Sequence, residues 1–334
     1  MIVLRTGTRR LALALAVVAT GTLSAQAAEV TLRAQTALQR NHDFTKIFMK
    51  HYIEPVNKAG KGSIRISYLG GPEINPSNRA AAALQRGNID VLHSPAAYYV
   101  GTVPYGQGLM ASSVSTVDVR KNGAMEILEK VWNAKLNAHI LAWGERAAQF
   151  HIYMTVKPPL GKDGMPDLKG MKIRSTPAYR ALLTSLGATI VATPPTEVYT
   201  ALQRGLVQGF GWPNNGLKAI GVHELVKFRI DPPFYHLANL VLINLDKWKS
   251  LTQAQRDLLD KYGPLYEAGS DTEIAGFAKA DEEAFFKAGG QAFKLNASAA
   301  RKYLAIANSA MWNNMKKGLS PEELAAIRPK LLQD

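Results

Sequence analysis

The tetrapeptide LQRG occurs twice, at residues 84–87 and 202–205, and each copy sits between the same two kinds of segment. Ahead of the first, SIRISYLGG alternates apolar and polar residues with the period of a strand and is closed by Gly70, Gly71 and Pro72. RAAAALQRG then reads as a helix with Gly87 as its left-handed cap, and NIDVLHS as a further strand. The second region repeats that order. MKIRST is a strand, Pro177 opens a helix that Gly187 closes, and ATIVAT is a strand stopped by Pro194 and Pro195. TEVYTALQR is a helix capped by Gly205, and LVQGFGW runs out as a strand. In both copies the arginine falls in the last helical turn, where its charge complements the helix dipole. Strand–helix–strand units call for parallel sheets covered by helices, so the repeat predicts two α/β domains built on similar plans.

Residues 1–27 stand apart from this pattern. Arg5, Arg9 and Arg10 precede an apolar run from Leu11 to Val18, and Ala25-Gln26-Ala27 fits a small-x-small cleavage site, which together read as a cleaved export signal. The 307 residues that remain are enough for two domains held by packing alone, as they must be in a chain without cysteine. Loss of the three leader arginines takes the net charge from +14 to +11. The basic residues are scattered without a dense tract, which fits a soluble surface and capture of small anions, and no nucleic-acid partner is expected of an exported chain.

The domain limits follow from the punctuation. EVTLRAQTA starts the first domain as a strand, with a helix after it from about Phe44 to Ala59 that must tolerate Pro55. A helix from about Val119 to Asn133 and a strand at HILAWG follow, and HIYMTV crosses to the second domain. The first lobe is expected at 28–151 plus about 241–334, the second at 152–240, with YHLANLVLINLDKW as the return strand. Thr252 and Gln255 fit a capping box with Leu251 as staple, opening a helical region over 251–287 that Gly263-Pro264 is expected to break. The last helices are expected to pack back on the first lobe. Two domains with several crossings imply a hinged clamshell with a cleft at the sheet ends.

Catalytic patterns are missing. There is no HExxH, glycine-rich phosphate loop or GxSxG, no thiol nucleophile, and the seven histidines form no metal-ligand run, so neither a cofactor nor a metal is expected. A recognition residue does stand out. Arg174 lies near the end of its strand, on the face of Lys172 and opposite Met171 and Ile173, just before a loop and a helix start. A guanidinium there can take a carboxylate in two parallel hydrogen bonds.

Residues 168–209 resemble the solute-binding proteins of TRAP transporters, the DctP type. The likeness is carried by DLKGMKIR, Gly187-Ala188, Pro195 with Glu197, and Ala201 to Gly205, and in the first domain by YLGGPEI and ALQRGNIDV. The resemblance implies a periplasmic clamshell with an inter-lobe helix. It would capture an organic anion and hand it to an integral membrane TRAP permease driven by an ion gradient. It also implies that Arg174 is the arginine that pairs with the ligand carboxylate. The chain departs from the pattern at VQGFGWPNNG, where Trp212 stands in place of the asparagine of a D-G-x-E-N-P run and Asn214 and Asn215 follow the proline. A second arginine often present ahead of DLKG has only Lys157 in its region. Fewer polar contacts and an added indole point to a monocarboxylate with an apolar or aromatic body rather than a sugar acid.

Further cleft candidates are Tyr98 and Tyr99 after IDVLHS, Arg146 after HILAWG as a second anion contact, Phe150 and Tyr153 at the crossing, and Phe234 and His236 before the return strand. Arg40, with Asn41 and His42, follows the first strand and can also reach the cleft. Two other functions fit the same architecture: a sensory module for a membrane kinase, and a secreted hydrolase that would need a nucleophile and base in the pocket.

Overall fold

The structure, a computed structural model, describes residues 1–2 and 28–332, so the export signal and its cleavage site lie outside the described residues apart from the first two. Among these residues are eleven strands, β1 to β11 in chain order, in two sheets. The first holds β1 (Val30–Thr36), β2 (Ile64–Gly70), β3 (Val91–Pro95), β4 (Ala138–Gly144) and β10 (Asn239–Asn244), in the order β2-β1-β3-β10-β4. The second holds β5 (Gln149–Met154), β6 (Lys172–Ser175), β7 (Thr189–Ala192), β8 (Gly209–Pro213), β9 (Phe228–His236) and β11 (Gln291–Lys294), in the order β11-β9-β5-β8-β6-β7.

Both LQRG phrases end helices, Ala80–Gln85 and Val198–Gln203, and Gly87 and Gly205 take the left-handed conformation expected of them. The strands before and after each phrase pair in parallel, β1 with β2 and β3, and β6 with β7 and β8. The sheets as wholes are mixed rather than parallel. β10 runs antiparallel to β3 and β4, and β5 antiparallel to β8 and β9. These are the strands on either side of each crossing, and a chain that returns into the middle of a sheet arrives in the opposite sense.

Four local expectations are corrected. The return segment is two strands, β9 in the second sheet and β10 in the first, separated at Leu237-Ala238. The helix expected near Val119–Asn133 is two helices, Thr116–Lys121 and Ala124–Leu136, because Gly123 adopts positive φ between them. Gly263-Pro264 does not break the inter-lobe helix, which runs unbroken from Gln253 to Lys287 behind the Thr252–Gln255 capping box. Leu259, Tyr266 and Ile274 hold it on the first lobe and Phe285 reaches the second-lobe core, so packing on both sides of Pro264 overrides the break. The residues after it also do more than cover the first lobe: β11 joins β9 in the second sheet, and the helix Ala297–Met315 packs on helices of both lobes. Pro55 is accommodated by a wider π-helical turn, Met49–Ile53, directly ahead of it. Among the described residues no helix is long and apolar enough to cross a membrane.

The crossings are tied at one buried carboxylate. Glu145, just past β4, accepts hydrogen bonds from Tyr266 Oη of the inter-lobe helix at 2.9 Å and from Asn239 Nδ2 at the start of β10, and its backbone N–H donates to Ser270 Oγ at 3.0 Å.

Candidate functional site

The site begins with the alternation along β6. Lys172 is exposed, while Arg174 reaches inward at the C-terminal end of the parallel strands, between Val191 of β7 and Phe210 of β8. Its side chain is 1% exposed. Nε and Nη2 donate to the carbonyl of Thr193 at 3.2 and 3.0 Å, and Nη1 donates to Tyr179 Oη at 3.1 Å. Tyr179 in turn donates to the carbonyl of Gly211 at 2.8 Å. A Cβ on Gly211 would lie 2.5 Å from the tyrosine ring, so β8 needs a glycine there for Tyr179 to cross it and brace the guanidinium.

All of these partners are neutral. No ion pair among the described residues includes Arg174. A guanidinium has five N–H groups, and three are committed, which leaves one on each terminal nitrogen, the pair a carboxylate takes. A buried charge without a counter-charge is costly, so the site is electrostatically incomplete without an anion.

Two connected hollows meet at Arg174. The inner one, of about 20 Å3, has apolar walls from Leu38, Phe44, Phe150 and Leu237, closed by Trp212 and Tyr179. The outer one, of about 190 Å3, shares Tyr98, Arg174 and Thr176 with it and opens past Ser77 and Arg180. Leu38, Phe44 and Tyr98 come from the first lobe and the rest of these mainly from the second, so the hollow lies between the lobes. The indole of Trp212 packs beside the charge, with Arg174 Cζ 5.8 Å from the ring centre. Thr176 Oγ1, Trp212 Nε1 and both amide atoms of Asn215 are buried without hydrogen-bond partners. Burial raises the pKa of the Tyr98 hydroxyl, which stays a neutral donor.

Four of the residues singled out from sequence therefore line one cavity: Arg174, Trp212, Tyr98 and Phe150. Asn215, two residues past the cavity-lining Pro213, is 0% exposed and lines neither hollow. The others stand elsewhere. Tyr99 packs edge-on against Trp132 inside the first lobe. Tyr153 points the opposite way from the cavity, onto Phe210 and Phe285 in the second-lobe core. Phe234 sits behind Phe150 and Tyr179. His236 Nδ1 faces the Arg146 carbonyl at 3.2 Å, and burial with the nearby Arg146 charge lowers its pKa. Arg146 donates to the carbonyl of Ser112 and lines a separate surface hollow with Arg120 and Asp271, where burial lowers its pKa. Arg40 is exposed and lies over the Tyr68 ring at 5.5 Å. Arg180 stands at the mouth of the cleft in the place expected for Arg146, and Thr193, Tyr179, Leu38 and Phe44 were not signalled in sequence. Thr193 and Tyr179 act through a turn carbonyl and a ring laid on glycine, which carry no motif.

The family model for DctP, bacterial extracellular solute-binding protein family 7, matches residues 36–317. The chain is 23% identical over 210 residues to a monocarboxylate 2-oxoacid-binding periplasmic protein of Nostoc sp., a match that spans 59% of this chain and 55% of that protein. In structure it is similar to a TRAP periplasmic solute-binding protein from Desulfovibrio salexigens with bound orotic acid, with TM-score 0.79 and 17% identity over 90% of this chain and 97% of that one. It is similar as well to one from Sulfitobacter sp. with bound β-D-galacturonate, with TM-score 0.77 and 15% identity over 90% and 99%. One fold thus serves a planar aromatic acid and a sugar acid in those two proteins, so the ligand has to be argued from this chain's own cleft.

Proposed function

Because the chain belongs to the bacterial extracellular solute-binding proteins of family 7, the DctP type, whose members and fold are non-catalytic, we propose that it captures a small organic monocarboxylate with a compact apolar or aromatic body. It does so in the periplasm, after cleavage of its export signal, and delivers the acid to the membrane subunits of a TRAP-type permease. The observation that carries this reading is Arg174: 1% exposed, braced by neutral groups only, with one N–H spare on each terminal nitrogen. The relatives support an acid ligand, since each protein compared with this one above binds a carboxylic acid.

The walls narrow the class. Leu38, Phe44, Phe150 and Leu237 suit a body without many hydroxyls, which a hollow of about 20 Å3 takes only as the lobes part to admit it, and among the described residues Arg174 is the one cation that lines it. A second carboxylate would find a charge only at Arg180, at the mouth. Arg180 and the basic surface draw anions in. Closure follows because a bound acid touches both lobes only in the closed form, and a ligand shifts the balance only through contacts the open form lacks.

The test is to purify the protein without its leader, denature it gently and identify the released small molecule by mass spectrometry, then to measure the affinity of that compound by calorimetry. A co-purified monocarboxylate is expected. Recovery of a cation, or of a neutral sugar that binds Arg174→Met as tightly as the unaltered protein, overturns the reading.

A further inference from the structure

The last two helices enclose a hollow of about 460 Å3 that shares no residue with the hollows at Arg174. One wall is a stripe of the helix Ala297–Met315. Asn308, Trp312 and the C-cap Lys316 recur every four residues and so share a face, with Asn313 beside them. Arg328 of the helix Pro321–Leu331 forms the other wall, its Cζ 5.6 Å from the centre of the Trp312 ring.

The charges here are one-sided. Residues 297–331 carry six lysines and arginines against two acids, and both acids, Glu322 and Glu323, sit in the first turn of the last helix, at the end away from Arg328. Lys302 pairs with Asp163, and Lys330 donates to the carbonyl of Asn122. The side chains of Lys316 and Arg328 are exposed and have no hydrogen bond or ion pair among the described residues. No acid among the described residues lines the hollow. Two other hollows outside the cleft do hold acids, Asp163 and Asp167 in one and Glu267 and Asp271 in the other. The helix dipole accounts for a cation in each last turn, but not for the convergence of two of them on one hollow. Trp312 is a further unspent donor: it is 5% exposed, and its Nε1 is buried without a partner.

Two free cations without an acid match a dianion, whereas a monocarboxylate neutralises only one of them. A guanidinium laid on an indole is held in plane, which suits it to two oxygens of a phosphate, and the Asn308 and Asn313 amides offer neutral donors to the others. We infer that this hollow is a second anion site, separate from the cleft, and that it takes a phosphate group on Lys316 and Arg328 with Trp312 as the plate that orients the guanidinium. The site does not depend on the carboxylate reading of the cleft. Free phosphate or a soluble phosphate ester and the headgroup of an anionic phospholipid present the same chemistry, and the experiment separates them.

Inorganic phosphate is titrated into the isotope-labelled protein without its leader and followed by NMR, with chloride at the same ionic strength as the control. The chain has five tryptophans, and the indole N–H signal that disappears in Trp312→Phe identifies the reporter. That signal should move with half-saturation at about 1 mM phosphate or below. Acetate should need about tenfold more, because it meets only one of the two charges. Arg328→Gln and Lys316→Gln should each weaken the phosphate response about fivefold or more without loss of thermal stability, since both side chains are exposed. Arg174→Met should leave the response unaltered. In the second arm the protein is sedimented with vesicles of phosphatidylcholine alone or mixed with phosphatidylglycerol. Sedimentation with the mixed vesicles that Arg328→Gln abolishes assigns the group to a lipid headgroup, and phosphate binding without such sedimentation assigns it to a soluble phosphate; both uphold the site. A Trp312 signal that phosphate does not move, a response that chloride reproduces, or one that survives in both cation variants overturns the site. A response lost in Arg174→Met places the phosphate in the cleft and overturns it as well. Acetate that binds as tightly as phosphate overturns the assignment to a dianion.

Discussion

Arg174 and Arg229 are two buried arginines of the same sheet, on β6 and β9, and they are treated in opposite ways. Arg229, 7% exposed, forks onto Asp231 at 2.9 and 3.0 Å and reaches Glu282 of the inter-lobe helix at 3.0 Å, and Asp231 also takes His151 Nδ1 at 2.9 Å. Arg174 is more deeply buried and donates hydrogen bonds only to a carbonyl and a phenol. A charge that is paired inside the protein ties elements together, here β9 to the inter-lobe helix. A charge that is buried, braced and left with spare donors has hydrogen-bonding capacity left over, which is the basis of the carboxylate site proposed above. Two histidines show the same contrast. Burial opposes the charge on His139, but hydrogen bonds to Asp260 and Glu129 outweigh it and raise its pKa to about 9, and its ring stacks on Trp248 at 4.0 Å. His42, with no carboxylate in contact, is held at about 3.

The largest break in this contrast is expected from Arg229→Met. It leaves Asp231 partly buried without its fork, and about 3 kcal/mol of stability should be lost in chemical denaturation while ligand affinity stays within about twofold. Asp231 also carries a pH signature. Its burial favours the neutral acid, but His151 and Arg229 outweigh that and hold its pKa below the ordinary carboxylate range. A depressed folded pKa stabilises above the unfolded value of about 3.9 and that contribution disappears as pH falls below it, so the acid limb of the stability curve should flatten in the variant.

Next comes Arg174→Met, with the signs reversed. Affinity for the native acid should fall at least tenfold, about 1.4 kcal/mol or more, while the ligand-free protein unfolds at the same denaturant concentration or a higher one. A marked loss of ligand-free stability would mean that Arg174 is scaffolding like Arg229.

The histidine pair gives a smaller effect that is read directly by NMR titration. His139 should stay charged up to about pH 9, and His42 should stay neutral down to about pH 3. A raised folded pKa contributes fully below the unfolded value of about 6.5 and is lost as pH rises through about 9, so His139→Gln should cost stability at pH 6 and nothing at pH 10. The smallest effect is expected from Lys302→Ala, which removes a 3.9 Å pair with Asp163 whose side chains are both half exposed. It should change stability by less than about 0.5 kcal/mol and marks how little a pair contributes in water.

Much of this was legible in the chain. The caps at Gly87, Gly187 and Gly205, the capping box at Thr252 and the strand that carries Arg174 all follow from neighbours within a few residues, while Trp212 was singled out by the family resemblance and not by its neighbours. Arg146 and Tyr153 were placed by the same reasoning and stand outside the cavity. Arg146 follows Glu145, which adopts φ 62°, and that turn sends the guanidinium to the Ser112 carbonyl. Tyr153 lies three residues from Phe150 on one strand, and an odd spacing puts the two on opposite faces.

The sequence by itself determined the two α/β lobes, the helix ends and the strand end that offers a guanidinium, because periodicity, glycine φ and proline act over one or two turns of chain. Only the tertiary structure decided which charges are paired and which are not. Asp231 is two residues from Arg229 and Glu282 is fifty-three away, while among the described residues no acid pairs with Arg174, and His42 meets Trp212 from the opposite lobe. The cost of a buried charge depends on everything within a few ångströms of it, and those neighbours are gathered by the fold from all parts of the chain.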